Sequence, residues 1–433
     1  MFKKITNTFG TKMLAAALNF LIAIIISRTL GDTGSGTQSL VQATITFILI
    51  FSEIVGGASI IYLAPRHSFK KMLVASVLWA GLIAVVMGFG IWLFYPKLES
   101  ELVYHVAILS FISSLSNINF RFLVGREEIK KANYNTLLQP VILTLVLVIY
   151  YFVLKKSDEH VWGYIIGLYA AYGGTFLLGV WMLRKEYAQI PHDKNRNYGP
   201  VLKDLFKYGF LNQTGHFVQF FNLRLSYFLL DSYIGRGEVG VFSRSVSLAE
   251  SIWIISNSIA LVQYARIANA DDRRYSQKLT LDLSKICLLV SAVAILVLCL
   301  LPAEFYIFVF GKDFGEMAHL IRILAPGILL YCIFLILGHY YSGIGRYQMN
   351  TFAAICGLVA TFVCGFTLIP KYNVTGAAIT SAISYTVNAI FLFVFFVKES
   401  RFKGRDFLLT KGEIRNYICE LKQHFLKQNT ENE

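Results

Sequence analysis

Twelve stretches of this chain are apolar over about 20 residues each, the length an α-helix needs to cross the hydrocarbon of a bilayer. In lipid no backbone N–H or C=O finds water, so such a chain folds as a bundle of helices that satisfy their own backbones. The expected spans are 10–30, 38–63, 72–95, 102–123, 134–154, 162–183, 206–231, 239–265, 281–301, 318–342, 351–369 and 375–397. An even number puts both termini on one side. The expected fold class is therefore an all-α integral membrane protein of twelve transmembrane helices.

Of 433 residues, 56% are hydrophobic and 15% charged, which leaves no stretch composed like a soluble domain. A net charge of +14 on its own would suit a nucleic-acid binder, but its distribution argues against one. Lys3 and Lys4, Arg66 with Lys70 and Lys71, Arg126 with Lys130 and Lys131, the stretches Arg184 to Lys207 and Arg266 to Lys278, and the tail all fall on one side of the span map. The other side holds scattered members: Lys97, Lys155, Lys156, Arg236, Lys312 and Lys371. The positive-inside rule makes the first side cytoplasmic, with both termini there. The start MFKKITNTFGTK reads as an uncleaved signal anchor. Of six cysteines, five fall in expected spans and Cys419 in the tail, a pattern that indicates neither a disulfide framework nor a CxxC metal site. In the tail, Ile414, Ile418, Leu421 and Phe425 have helical spacing opposite basic residues. Either a solvated tail or a helix lying on the anionic inner leaflet fits that pattern.

One sizeable polar linker, RKEYAQIPHDKNRNYGPVLKD, follows the sixth span, with six spans before it and six after. This predicts an N-terminal lobe of 1–195, a C-terminal lobe of 196–398 and a basic cytoplasmic tail of 399–433. After span 1 the chain reads LGDTGSGTQSL and after span 7 IGRGEVGVFSR; a shift of 204 residues pairs Gly31 with Gly235, Gly36 with Gly240 and Ser39 with Ser243. The same shift pairs Thr46 with Glu250 and Glu53 with Asn257. The match is short, so duplication and coincidence both remain open; a duplication of six-span halves would run parallel, about an axis along the membrane normal.

The stretch FKYGFLNQTGHFVQFFNLRLSYFLLDSYIG, Phe206–Gly235, is long enough to span but carries polar groups throughout. A charge at membrane depth costs at least about 2.5 kcal/mol, so Arg224 needs a use. At helical spacing Gln213, Phe217, Phe220, Arg224, Tyr227 and Asp231 share one face, and Asn212, His216, Gln219 and Ser226 the neighbouring one. Two adjoining polar-aromatic faces cannot both meet lipid, so this helix should line a wet cavity. There the Arg224 guanidinium could hold a diphosphate or acidic sugar by paired hydrogen bonds; the alternative is an interhelical pair with Glu250 or another acid. Glu53 and Glu250, at depth in spans 2 and 8, and Asp231 are candidates for carrying a coupling ion, a proton or sodium; the alternative is a buried partner for an arginine. His216 is either a titrating group or a hydrogen-bonded polar residue. Asn117, Asn119 and Arg121 read as boundary residues of span 4. No nucleophile elbow, Walker loop, HExxH or Asp-rich metal cluster appears, and Gly34–Gly36 follows a membrane helix rather than a strand, as a turn would.

Three motifs resemble a known family. LIPKYNVTGAAITSAISY, Leu368–Tyr385, is similar to the LIPxxGxxGAAxAT signature of bacterial polysaccharide flippases in the multidrug/oligosaccharidyl-lipid/polysaccharide exporter superfamily, with Asn373 where a glycine is common. FGKDFGEMAHLIRILAP, Phe310–Pro326, resembles the family's entry into its tenth span, and SRTLGDTGSGTQSL, Ser27–Leu40, its first outer turn. The resemblance runs from about residue 5 to 398. It implies a V-shaped, two-lobed transporter of the bacterial inner membrane that flips undecaprenyl-diphosphate-linked oligosaccharide, for O-antigen, capsule or another surface glycan, from the inner to the outer leaflet. Alternating access driven by an ion gradient comes with it, and no cofactor. Its partners would be the lipid-linked oligosaccharide, membrane lipids and other glycan-assembly proteins. Arg28 matches an arginine often found before LG in the family, and with Arg244 and Arg322 it could form a positive outer vestibule; span-end arginines also simply snorkel. The rivals are a cation-coupled drug exporter of the same superfamily, whose cavity should be acidic, and a membrane-embedded glycan polymerase or ligase, which should carry a large catalytic outer loop. The outer connections here are expected to be short.

Overall fold

The computed structural model describes residues 2–64, 66–156, 161–188, 198–270, 272–400 and 402–407. Residues 189–197 of the expected linker and the 414–425 pattern of the tail lie outside them. The described residues are helical, without a strand, and nine helical segments among them are long and apolar enough to cross a membrane. The protein is a multi-pass membrane protein. The helices run α1 Phe2–Gly56, α2 Ala58–Leu63, α3 Phe69–Phe94, α4 Ser100–Gly125, α5 Ile129–Val148 with a π-turn continuing to Val153, α6 Trp162–Met182, α7 Arg184–Ala188 and α8 Gly199–Tyr233. Then come α9 Arg236–Glu250, α10 Trp253–Ala268, α11 Arg273–Leu300, α12 Ala303–Phe310, α13 Met317–Gly343 and α14 Gln348–Glu399.

Two connections between expected spans are much shorter than expected. Helix α1 breaks at one residue, Gly31 (φ 66°, ψ −159°), and α14 at one residue, Asn373 (φ 51°, ψ −132°). Gly31 reaches that region at no steric cost. Asn373 does so as one of the few side chains that tolerate positive φ, which accounts for asparagine standing where the family often has glycine. The arm of α1 before Gly31 is here α1a and the arm after it α1b. Helix α8 ends in a similar way, with Gly235 at φ 155° before α9.

The helices form two compact units. The first comprises Met1–Ser247, Leu301–Ile323 and Leu358–Ser381; the second Leu248–Leu300, Leu324–Gly357 and Ala382–Glu433. In the first, Ile26, Ile45, Val106, Leu109, Leu147 and Ala171 form a fully buried core between α1 and α4–α6. A second cluster, with Val55, Ile60, Ile118, Phe122, Leu123 and Leu205, fixes the inner ends of α1b, α4 and α8. Lipid supplies no hydrophobic drive between helices, so small polar contacts set their registers. Ser52 donates to Ser114 at 2.8 Å and Ser116 to Thr175 at 2.9 Å. The second unit uses the same devices. Gln263 donates to Thr280 at 2.9 Å, and Trp253 stacks on Tyr331 with centroids 4.3 Å apart.

Candidate functional site

Within the first unit, α1b and α9 meet at the 204-residue correspondence itself. A side chain at Gly36 would strike the Arg236 carbonyl, and one at Gly240 the Asp32 carbonyl, so only glycine permits this approach. One turn deeper, the hydroxyls of Ser39 and Ser243 hydrogen-bond at 2.8 Å. Residues 204 apart thus touch their own counterparts, as residues on a two-fold axis do.

Below this seam the helices separate and the side chains lengthen. Two adjoining cavities, of about 290 and 380 Å³, share Thr46, Phe220 and Arg224 on their walls. Helix α1b contributes Gln38, Gln42 and Glu53, α8 contributes Gln213, His216, Gln219 and Tyr227, α9 contributes Arg244 and Ser247, and α4 contributes Arg121. Arg224 is half-buried, with its guanidinium 5.3 Å from the centre of the Tyr227 ring and a bond to the Leu223 carbonyl at 3.2 Å. Arg244 is buried and held rigidly: its Nε donates to Ser27 at 2.9 Å and a terminal nitrogen to Gln38 at 2.8 Å. Tyr164 in turn donates to Gln42 at 2.9 Å, fixing the amide row of α1b.

At the end of the cavity away from the seam, Glu53 accepts from Arg121 at 3.2 Å, from Asn117 at 3.3 Å and from Gln213 at 3.4 Å. Neither charge is sealed off: the side chains of Arg121 and Glu53 are 27% and 19% exposed, so the pair borders the cavity. Asn117 and Arg121 are therefore not boundary residues. Four apart, they share one face of α4, and that face meets α1b. The spacing was visible in the sequence, but nothing there said which helix it faced.

Arg224, Arg244, Gln219, His216 and Glu53 are brought together on these walls. The other candidates lie elsewhere. Arg28 is exposed and bonds to the carbonyls of Val309, at 3.0 Å, and Phe308, the last turn of α12, where helix-end carbonyls lack backbone partners. It caps a helix and does not line the cavity. Arg322 is exposed on α13, and Asn212, on α8, is exposed and absent from the linings of both cavities. Asp231, 4% exposed, sits at the C-terminal end of α8, accepts from Tyr95 and lies 3.9 Å from Arg236. Glu250 belongs to the second unit, where Tyr385 donates to it at 2.9 Å.

The cavity walls carry three arginines against one carboxylate. Such a site can hold an anion of more than one charge, and its amides and rings can meet sugar hydroxyls and faces.

Comparison with known proteins agrees with the fold and narrows the family. The chain is 22% identical over 408 residues, 92% of its length and 99% of the relative's, to a capsular polysaccharide biosynthesis protein, CapF, of Staphylococcus aureus. Among solved structures it superposes on the lipid II flippase MurJ in an inward closed conformation with a TM-score of 0.72 at 16% identity, covering 94% of this chain and 89% of that one. An inward-facing multidrug resistance MATE transporter matches with a TM-score of 0.68 at 13% identity, over 89% and 94%. The model of the polysaccharide biosynthesis protein family matches residues 1–268, so the chain belongs to that family and carries the helical fold of the MurJ and MATE transporters.

Proposed function

We propose that this protein flips an undecaprenyl-diphosphate-linked oligosaccharide from the cytoplasmic to the outer leaflet of the bacterial inner membrane, for a capsule or another surface glycan. The observation that carries this reading is the charge of the cavity: Arg224, Arg244 and Arg121 face Glu53 alone. A diphosphate suits that excess, through the planar donors of arginine. A cationic drug does not, which disfavours the exporter alternative. The name of the Staphylococcus relative and the MurJ fold support the same reading.

The transport cycle is alternating access by a lobe of 1–195 and a lobe of 196–398, each of six spans, with both termini cytoplasmic. Counting the two broken helices α1 and α14 twice, and adding α8, whose polar residues keep its hydropathy low, supports twelve crossings. The contacts of Gly36 with Gly240 and Ser39 with Ser243 support a duplicated origin. Glu53 is the best-placed group for coupling to a proton or sodium gradient, because its carboxylate borders the cavity and sits among exchangeable donors. Binding and movement are the whole of the chemistry in this reading, with no bond made or broken.

Proteoliposomes holding the purified protein and a fluorescent undecaprenyl-diphosphate glycan test it. Transbilayer movement by the wild type that falls in Arg224→Ala, matched by accumulation of lipid-linked precursor in cells lacking the gene, is the expected result. Movement of cationic drugs with no movement of the glycan lipid would overturn the proposal.

A further inference from the structure

Beside the cationic cavity lies a groove of nearly pure hydrocarbon, about 500 Å³, between α1b, α3 and α8. Phe47, Val86, Gly90, Phe94, Phe220 and Phe228 are on its walls. Any groove on a membrane helix fills with acyl chains by default, and this one needs a reason to be different. Phe220 supplies it, since that ring stands on the walls of both polar cavities and of the groove. Its ring packs on Phe47 at 5.4 Å and Phe221 at 5.4 Å, so a partition of aromatic rings is all that separates the two environments. Arg224 lies four residues, one helical turn, from Phe220 on one side and from Phe228 on the other.

A contrast within the same helix sharpens the point. The opposite side of α3, with α4, forms a larger apolar groove of about 620 Å³ lined by Gly81 and Gly88, and it shares no wall residue with the polar cavities. Size and apolarity are therefore common on this surface, and continuity with cations is the distinguishing feature of the smaller groove.

We infer that the groove between α1b, α3 and α8 binds the head-proximal isoprene units of a polyprenyl diphosphate while its diphosphate lies at Arg224. This rests on the proposed flippase reading and adds to it where the tail is gripped. The groove runs along α3 from Val86 to Phe94, about 12 Å at the helical rise, so it takes only the start of the chain and leaves the rest in the bilayer. Rigid rings on three helices give a methyl-branched, unsaturated chain a fixed surface at little cost in side-chain freedom.

The test uses undecaprenyl diphosphate carrying a diazirine in its head-proximal units, added to the full-length protein in phosphatidylglycerol-containing liposomes. On illumination, label is expected within 86–94 and 220–228, competed by unlabelled undecaprenyl diphosphate and not by added phosphatidylglycerol. Gly90→Leu fills the groove: a Cβ at Gly90 meets no atom within 4 Å, and leucine favours the helix over glycine. It should lower the label about tenfold, the effect of losing some two buried methylenes. Gly81→Leu, in the larger groove, should leave it unchanged. Equal competition by phosphatidylglycerol, even labelling of lipid-facing helices, or undiminished label in Gly90→Leu would each overturn the inference. Wild-type flipping is measured in the same liposomes. Its absence counts against the flippase reading, whereas flipping without groove label counts against the groove alone.

Discussion

Helices α1b, α8 and α9 run from a close-packed seam into the polar cavity, and the two ends of that path are built differently. At the seam the residues are small: Gly36, Gly240, Ser39 and Ser243 bring backbones together until no side chain fits between them. Around it Arg236 and Lys97 are held by short bonds. Arg236 donates to Glu99 at 3.2 Å and to the Lys97 carbonyl at 2.7 Å, and Lys97 donates to the carbonyls of Asp231 and Ser232 at 2.9 and 2.6 Å. A few turns deeper the same helices carry glutamine, phenylalanine and arginine, and they stand apart. Residue size separates a close backbone approach from an open cavity here. The seam's polar groups lie between close-packed backbones, whereas the cavity's arginines border open space.

The sharpest way to break this contrast is to make the seam permanent. Ser39→Cys with Ser243→Cys replaces two hydroxyls 2.8 Å apart, within the reach of a disulfide between neighbouring helices. Oxidation should abolish flipping almost completely and a reductant should restore it, read as glycan-lipid movement with each single-cysteine variant as control. Full transport by the cross-linked protein would show that the seam does not open.

Next in size is the cavity. Arg224→Ala removes charge-assisted bonds worth about 1.5–3 kcal/mol, so transport should fall roughly ten- to a hundredfold while the amount of protein in the membrane stays constant. Arg224→Lys should recover only part of that, because an ammonium lacks the planar paired donors. Wild-type rates in either variant would remove Arg224 from the site.

Much of this was legible in the sequence because membrane helices write their exposure in residue type. Arg224, Gln219 and His216 could be placed on a wet wall from spacing alone, and the 204-residue match named Gly36, Gly240, Ser39 and Ser243 before their contacts were known. Which helix faces which was not legible. Arg28 and Arg244 both lie near an outer helix end, yet one caps α12 and the other lines the cavity, a difference made by the neighbours each helix meets. Arg121 was read as a boundary residue for the same reason. The one-residue breaks at Gly31 and Asn373 were hidden because helical periodicity runs straight through them.

A smaller effect is expected at the inner rim. Glu53 and Arg121 are partly exposed, so their pairing is worth about 1 kcal/mol, a coupling of roughly fivefold. In a double-mutant cycle on transport rate, Glu53→Gln with Arg121→Gln should be no slower than the worse single variant, because each single change strands a charge that the double change removes. Strict additivity would mean the two act independently, with the 3.2 Å contact incidental. If Glu53 carries the coupling ion, Glu53→Gln should in addition leave the remaining transport indifferent to collapse of the gradient, an outcome that loss of the ion pair alone does not produce.

The smallest effect belongs to the seam's edge. Asp231→Asn keeps an acceptor for Tyr95 but removes the charge 3.9 Å from Arg236, while the Lys97 bonds, made to backbone carbonyls, are untouched. The attraction lost is long, 3.9 Å, and its arginine is 20% exposed, so the closed seam should loosen by about 0.5–1 kcal/mol, a two- to fivefold rise in its open population. Labelling of Ser39→Cys by a membrane-impermeant thiol reagent reads that population directly. The rate should rise by that factor in Asp231→Asn and stay level in Glu53→Gln, whose carboxylate lies at the other end of the cavity. A rise of similar size in both would mean that opening is governed by the charge balance of the whole cavity, and the division of labour between a closing outer end and a binding middle would fail.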